Sequence, residues 1–215
     1  MAHRVVTGLV GGCAILLGVT LSGCAAPQYT YVANSSESTY FKVPENWHQI
    51  GASALNHAMQ EDLGGSAGWS VAYEAGGDPT ANDFLSFGDA HPFVFAEIGT
   101  LSSTASQALS YDSLRDFLLP VTSTARQNVP QGYPLTNFTQ SRDQVLTLGQ
   151  GVHGVRETFS YTLSGSTDTF DQVALTNADQ TTVYFLLLHC TTSCYNSDQT
   201  EINQVMSSFT VRSSS

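Results

Sequence analysis

The chain has 215 residues, with 7 Lys+Arg against 18 Asp+Glu and a formal net charge of −11 at neutral pH. That balance excludes docking on nucleic acid or on anionic headgroups by charge, because both surfaces would repel it. Hydrophobic residues make up 41%, and no internal repeat or low-complexity tract divides the chain. One domain of about 175 residues is expected after an N-terminal leader.

The leader reads MAHRVVTGLVGGCAILLGVTLSGC. A weakly positive start at His3 and Arg4, an apolar run from Val5 to Leu21 and small residues at its end make the layout of a secretory signal peptide over 1–23. A membrane span needs about 18 or more apolar residues, and this run is too short and too interrupted by glycine. Leu21-Ser22-Gly23-Cys24 resembles the bacterial lipobox, in which the cysteine is lipidated and the chain is cut just before it. Cys24 is therefore expected to be the mature N-terminus, with palmitate-type acyl chains that satisfy the two-signal requirement for stable anchoring. Loss of Arg4 leaves six basic residues against 18 acidic ones, a mature net charge of −12. The acidic residues are spread along the chain and read as a solvated surface.

Residues 24–38 read as the lipidated N-terminus and a flexible polar spacer reaching ~20 Å. Tyr29 and Tyr31 are unusual there and point to contact with the domain, a partner or the membrane interface. The domain itself is expected over 39–212. It opens with a short strand broken by Pro44 and closed by Trp47. A helix follows, with Ala54, Leu55, Ala58 and Met59 at helical spacing, ending at Gly64-Gly65. Trp69 to Glu74 alternates as a strand, and Asp78-Pro79 suits the start of a short helix to about Phe87. A buried strand spans His91 to Gly99. Ser110 can cap a helix carrying Leu114, Phe117 and Leu118, stopped by Pro120.

From Leu135 the pattern becomes strands separated by brief turns: Thr139–Leu148, Val152–Leu163, Phe170–Thr176 and Thr181–Cys190. The connections are too short for parallel crossovers, so an antiparallel meander is expected. Val183 to Leu188 is apolar throughout, as in a central strand covered on both faces. Asp198 and Glu201 have capping-box spacing. Ile202, Val205, Met206 and Phe209 then mark an amphipathic C-terminal helix. The fold class expected is α+β, an antiparallel sheet flanked by helices on both faces.

HCTTSCY, from His189 to Tyr195, takes its meaning from the export signal. Disulfides persist outside the cytoplasm. Cys13 leaves with the leader and Cys24 is lipidated, so Cys190 and Cys194 are the remaining pair. A disulfide closing one turn is expected. Zinc would need two more ligands, and a thioredoxin-like redox motif would be C-x-x-C.

FKVPENW near the start of the domain and VYFLLLHC…CY…EINQVMSSFTV at its end resemble actinobacterial lipoproteins with a PsbP-like domain, the LpqN/LpqT type of mycobacteria. The resemblance covers roughly Ser38 to Val211. It rests on Pro44, Trp47, the Val183–Cys190 strand and the Ile202–Phe209 helix, while Gly76 to Pro134 matches nothing in it. It implies an α/β/α sandwich and no shared catalytic residues. Plant members of that family are extrinsic photosystem subunits and a eukaryotic relative binds a GTPase, so it implies docking or assembly before catalysis.

Two catalytic-looking motifs have bland readings. Gly64-Gly65-Ser66-Ala67-Gly68 matches G-x-S-x-G, but a nucleophile elbow needs a strand before the serine and a helix after it, the reverse of what is expected here. Gly149 to Gly154 matches G-x-G-x-x-G, yet VRETFSYTL follows as a strand where a pyrophosphate site needs a helix N-terminus. His48, His57, His91, His153 and His189 show no metal-ligand spacing, and His189, between a buried strand and the cysteine turn, is the one to watch. No catalytic residue, cofactor or metal ligand is assigned. The expected role is a lipid-anchored, non-enzymatic binding or assembly protein on the outer face of the bacterial cytoplasmic membrane, with an envelope protein as partner. The alternatives are a carrier of a lipid or small apolar ligand between sheet and helices, and a serine hydrolase centred on Ser66.

Overall fold

A computed structural model describes residues 28–63, 68–80, 82–83 and 86–212, with the backbone alone for 58–63. The leader, Cys24 and Ser66 lie outside the described residues.

The first strand, β1 (Tyr29–Asn34), pairs antiparallel with β2 (Thr39–Pro44), placing Val32 opposite Phe41. Within the 24–38 segment read as a flexible spacer, 29–34 is instead a strand. Tyr, Thr and Val favour a pleated, half-buried surface, and Val32 is buried in the core. The polar turn that suggested a spacer is held by the Asn34 carboxamide oxygen, which accepts from Ser36 Oγ at 2.6 Å and from the Glu37 N–H at 3.1 Å. Tyr29 is fastened at its far end as well: its hydroxyl donates to Gln204 Oε1, and the Lys42 ammonium sits 4.0 Å over its ring.

The main sheet contains β3 (His48–Gln49), β4 (Trp69–Glu74), β5 (Phe93–Thr100), β6 (Thr136–Thr147), β7 (His153–Leu163), β8 (Ser166–Thr176) and β9 (Thr182–Thr191). Its order is β3-β4-β5-β9-β8-β7-β6, antiparallel throughout. The expected four-strand meander is β6 to β9, and β9 lies at the centre. Each residue from Val183 to Cys190 is at most 5% exposed.

The pleat of β9 divides the core in two. Tyr184, Leu186, Leu188 and Cys190 face one side, where Val43, Trp47 and the helix α6 (Gln199–Ser208) cover them. A small sheet, β1-β2-β10 with β10 at Thr210–Val211, completes that layer. Val183, Phe185 and Leu187 face the other side, against Leu55 of α1 (Ala52–Leu63) and Leu114 of α3 (Tyr111–Arg115). Helices therefore flank both faces.

Short helices punctuate the connection from β5 to β6. α2 (Ser103–Ala108), α3 and α4 (Ser123–Gln127) are capped by the side chains of Ser102, Ser110 and Thr122. The Ser110 helix is shorter than expected. The Asp116 carboxylate accepts the Val121 and Thr122 N–H groups, both at 2.7 Å, and folds the chain back before Phe117 and Leu118 can extend it. Near Asp78 the described residues form a 3₁₀ segment at 82–83, and Asp83 Oδ2 accepts the Thr80 N–H at 2.6 Å. α5 (Thr192–Ser197) follows β9 directly.

Four carboxylates correct the reading of the acidic residues as a solvated surface. Glu157, Asp168 and Asp171 are fully buried and Glu74 is 4% exposed.

Candidate docking surface

The connection carrying α2 to α4 lies over the outer strands β6 and β7 and leaves clefts between them. One, about 480 Å³, is polar, with Asp112, Arg115, Thr122, Arg126, Gln140 and Asp143 on its walls. Arg115 organises it. Its Nη2 and Nε donate to Asp143 Oδ1 at 2.9 and 3.1 Å, and its Nη1 donates to Asp112 at 3.0 Å. Behind these, Arg115 Nε stands 3.7 Å from the buried Glu157 carboxylate. Glu157 accepts from Gln140 and Gln172, each at 2.9 Å. Burial dominates this group and pushes it up to about 7; the Gln172 hydrogen bond and Arg115 oppose the rise, Asp143 and Asp116 add to it.

Arg126 also closes a second cavity of about 140 Å³ with Tyr133, Phe138 and Tyr161. Its guanidinium stacks 3.9 Å over the Phe138 ring, and the Tyr161 hydroxyl donates to the Pro120 carbonyl. A third cavity, about 250 Å³, lies between Tyr111, Leu114, His153 and Thr176. Both are smaller than the ~300–1,000 Å³ of ordinary small-molecule sites. Exposed apolar side chains at Tyr111, Val145 and Leu148 belong to the same outer region, and β6 is an edge strand exposed along most of its length.

On the opposite face, Arg156 grips the buried Asp171 with two bonds, Nε to Oδ1 at 3.0 Å and Nη2 to Oδ2 at 2.8 Å. The Tyr195 hydroxyl donates to Asp171 Oδ2 at 2.9 Å. Burial, with the Asp171 charge behind it, pushes that phenol up to about 12. This network ties α5 to the sheet and is structural.

The sequence-derived candidates fall as follows. The Cys190 and Cys194 sulfurs are 2.12 Å apart with Cα atoms separated by 6.0 Å, at the join of β9 and α5. His189 is fully buried between the rings of Phe93 and Phe170, with its Nδ1 3.8 Å from Asp168 Oδ2. His153 bonds the Gly151 carbonyl at 2.9 Å and packs edge-on against Tyr111. The helix α1 precedes Ser66 in the chain and the strand β4 follows it, the reverse of a nucleophile elbow. The other glycine motif is a hairpin. Gly151 adopts φ +79°, and a Cβ on Gly154 would lie 2.0 Å from the Ala174 carbonyl oxygen, so close strand packing requires that glycine. One donor set escaped the sequence reading: Glu74, Asp89 and His91, whose ligand atoms lie within 4.8 Å of one another. The Asp89-x-His91 spacing was visible, but Glu74 joins it only through the β4–β5 pairing.

No protein-family model matches the chain, and neither does any curated protein. Among solved structures, the cyanobacterial PsbP of Synechocystis superposes with a TM-score of 0.52 at 12% identity, covering 95% of this chain and 100% of that one. LpqN of Mycobacterium tuberculosis, described as involved in cell envelope biogenesis, is 18% identical over 86% of this chain and 91% of its own, with a TM-score of 0.45. The Ran-binding protein Mog1p of Saccharomyces cerevisiae is 9% identical over 85% and 95%, with a TM-score of 0.44. At such identities the likeness is one of fold. The chain has a PsbP-like α+β fold.

Proposed function

We propose that the protein is a lipid-anchored extracytoplasmic docking or assembly protein of the bacterial cell envelope, without enzymatic activity. The observation that carries this reading is Leu21-Ser22-Gly23-Cys24 at the end of an apolar leader. Only residues 25–27 separate Cys24 from the described domain. Fully extended they reach about 10 Å, so a lipidated Cys24 holds the sheet close to the headgroups rather than at the end of a long tether. The Cys190–Cys194 pair, at bonding distance, accords with an oxidising compartment. The larger cleft beside α3 and α4 is polar and organised by Arg115, which suits recognition of a protein surface better than enclosure of an acyl chain.

The test is fractionation of a bacterial host expressing the full chain or its Cys24→Ala variant. The full chain should enter the detergent phase on Triton X-114 partitioning, and the variant should not acquire label from an alkyne-tagged palmitate. Equal labelling of both chains would refute the anchor.

A further inference from the structure

The structure assigns a second site at the edge of the main sheet. We infer that Glu74, Asp89 and His91 bind one divalent transition-metal cation, of the zinc or manganese kind, through two carboxylate oxygens and one imidazole nitrogen. Their donor atoms already converge within 4.8 Å. His91 Nδ1 is hydrogen-bonded to Asp89 Oδ1 at 3.2 Å, a separation close to the edge of about 3.4 Å that joins two ligands of a tetrahedral ion with ~2.1 Å bonds.

Three further observations point to a ligand. Glu74 is 4% exposed, and its Oε2 is buried without a hydrogen-bond partner, a condition that ordinarily costs stability unless something satisfies the group. Glycine at position 76 keeps the space clear. A Cβ there would come within 2.7 Å of Glu74 Oε1 and 3.4 Å of His91 Nδ1. The frame is also rigid. Glu74 ends β4 opposite Phe93, with His48 on its other side. The Ala75 N–H donates to the Pro92 carbonyl at 3.0 Å, and the Thr191 N–H to the Asp89 carbonyl at 2.9 Å, so the loop is pinned to the end of β9, inside the Cys190–Cys194 turn.

The electrostatics favour a cation. Two carboxylates facing each other in a buried corner are reconciled by a shared proton or by a metal ion. A nitrogen donor beside them favours a transition metal, zinc before manganese, over calcium and magnesium, which prefer oxygen alone. His91 is exposed, with 57% of its side chain open, so it can rotate to complete coordination while leaving a position for water or a partner's side chain.

The experiment is calorimetric titration of the full-length, metal-stripped protein in detergent with ZnCl₂, MnCl₂ and CaCl₂. One equivalent of zinc or manganese should bind. His91→Ala, at an exposed position, and Gly76→Ala, which removes no ligand, should each weaken binding at least tenfold. Glu74→Gln should do the same, with circular dichroism confirming its fold. Absence of binding, affinity unchanged in His91→Ala and Gly76→Ala, or calcium binding more tightly than zinc would each overturn the assignment.

Discussion

The indole Nε1 of Trp47 donates to the Glu201 carboxylate at 3.1 Å, joining the Pro44-x-x-Trp47 corner to the first turn of α6 across 154 positions of sequence. The indole ring is buried with 4% exposure, in the same core as Ile202, Val205 and Met206. Glu201 thus serves a tertiary contact, and Asp198 at the N-cap makes no side-chain cap bond.

Separating the packing of this corner from its hydrogen bond gives the first prediction. Trp47→Phe keeps a ring but leaves the Glu201 carboxylate without its donor, and should lower stability by about 1–3 kcal/mol. In a double-mutant cycle with Glu201→Ala, urea denaturation should show coupling of about 1 kcal/mol. Additive losses would mean that the bond contributes nothing beyond the packing of the ring.

Asp171 sits between Arg156, Arg142 and Tyr195 with no exposure of its own. Asp171→Asn would leave the mostly buried Arg156 without its anionic partner, a loss of about 3–5 kcal/mol. A melting temperature within a few degrees of wild type would contradict this.

Stability should fall as pH rises from about 4.5 to about 7. Glu157, pushed up to about 7 chiefly by burial, stays protonated in the folded protein over a range where the unfolded chain has lost its proton. Below the unfolded value both states are protonated and the contribution is intact. Through the window the folded state binds more protons, so the free energy of unfolding declines, by on the order of 2–3 kcal/mol for this group. Glu74 acts with the same sign, so Glu157→Gln should flatten the dependence without abolishing it. Denaturation midpoints at pH 5, 6 and 7 measure this, and an unchanged slope in the variant would contradict it.

The Cys190–Cys194 pair closes a loop of only a few residues. A Cys190→Ser/Cys194→Ser double variant should lose about 2 kcal/mol, the loop-closure contribution expected at that length. Both cysteines are buried, so part of the loss would come from two hydroxyls in an apolar setting. Reduction of the wild-type protein isolates the covalent part.

Much of the architecture was legible in the residues, and the omissions have physical causes. The apolar run Val183–Leu188 marked the central strand because a strand covered on both faces loses its alternation. Ile202, Val205 and Met206 marked α6 because one face of a helix repeats every three to four residues. β1 was hidden, since its evidence is a partner strand, β2, and the polar turn between them resembles a linker. The pairing of β5 with β9 joins segments some ninety positions apart and has no local signature. The buried acids were misread for a related reason. Asp171 and Glu157 look like surface residues until Arg156, Gln140 and Gln172 arrive from elsewhere on the sheet. Glu74, Asp89 and His91 likewise converge only once β4 and β5 are paired.

The most direct measurement is the mass of the tryptic peptide ending at Lys42, taken from protein isolated from bacterial membranes. The account predicts a peptide that begins at Cys24 and carries a diacylglyceryl group, with or without a further N-acyl chain. An unmodified Cys24, or a chain that continues unbroken through Gly23 into the leader, would contradict it.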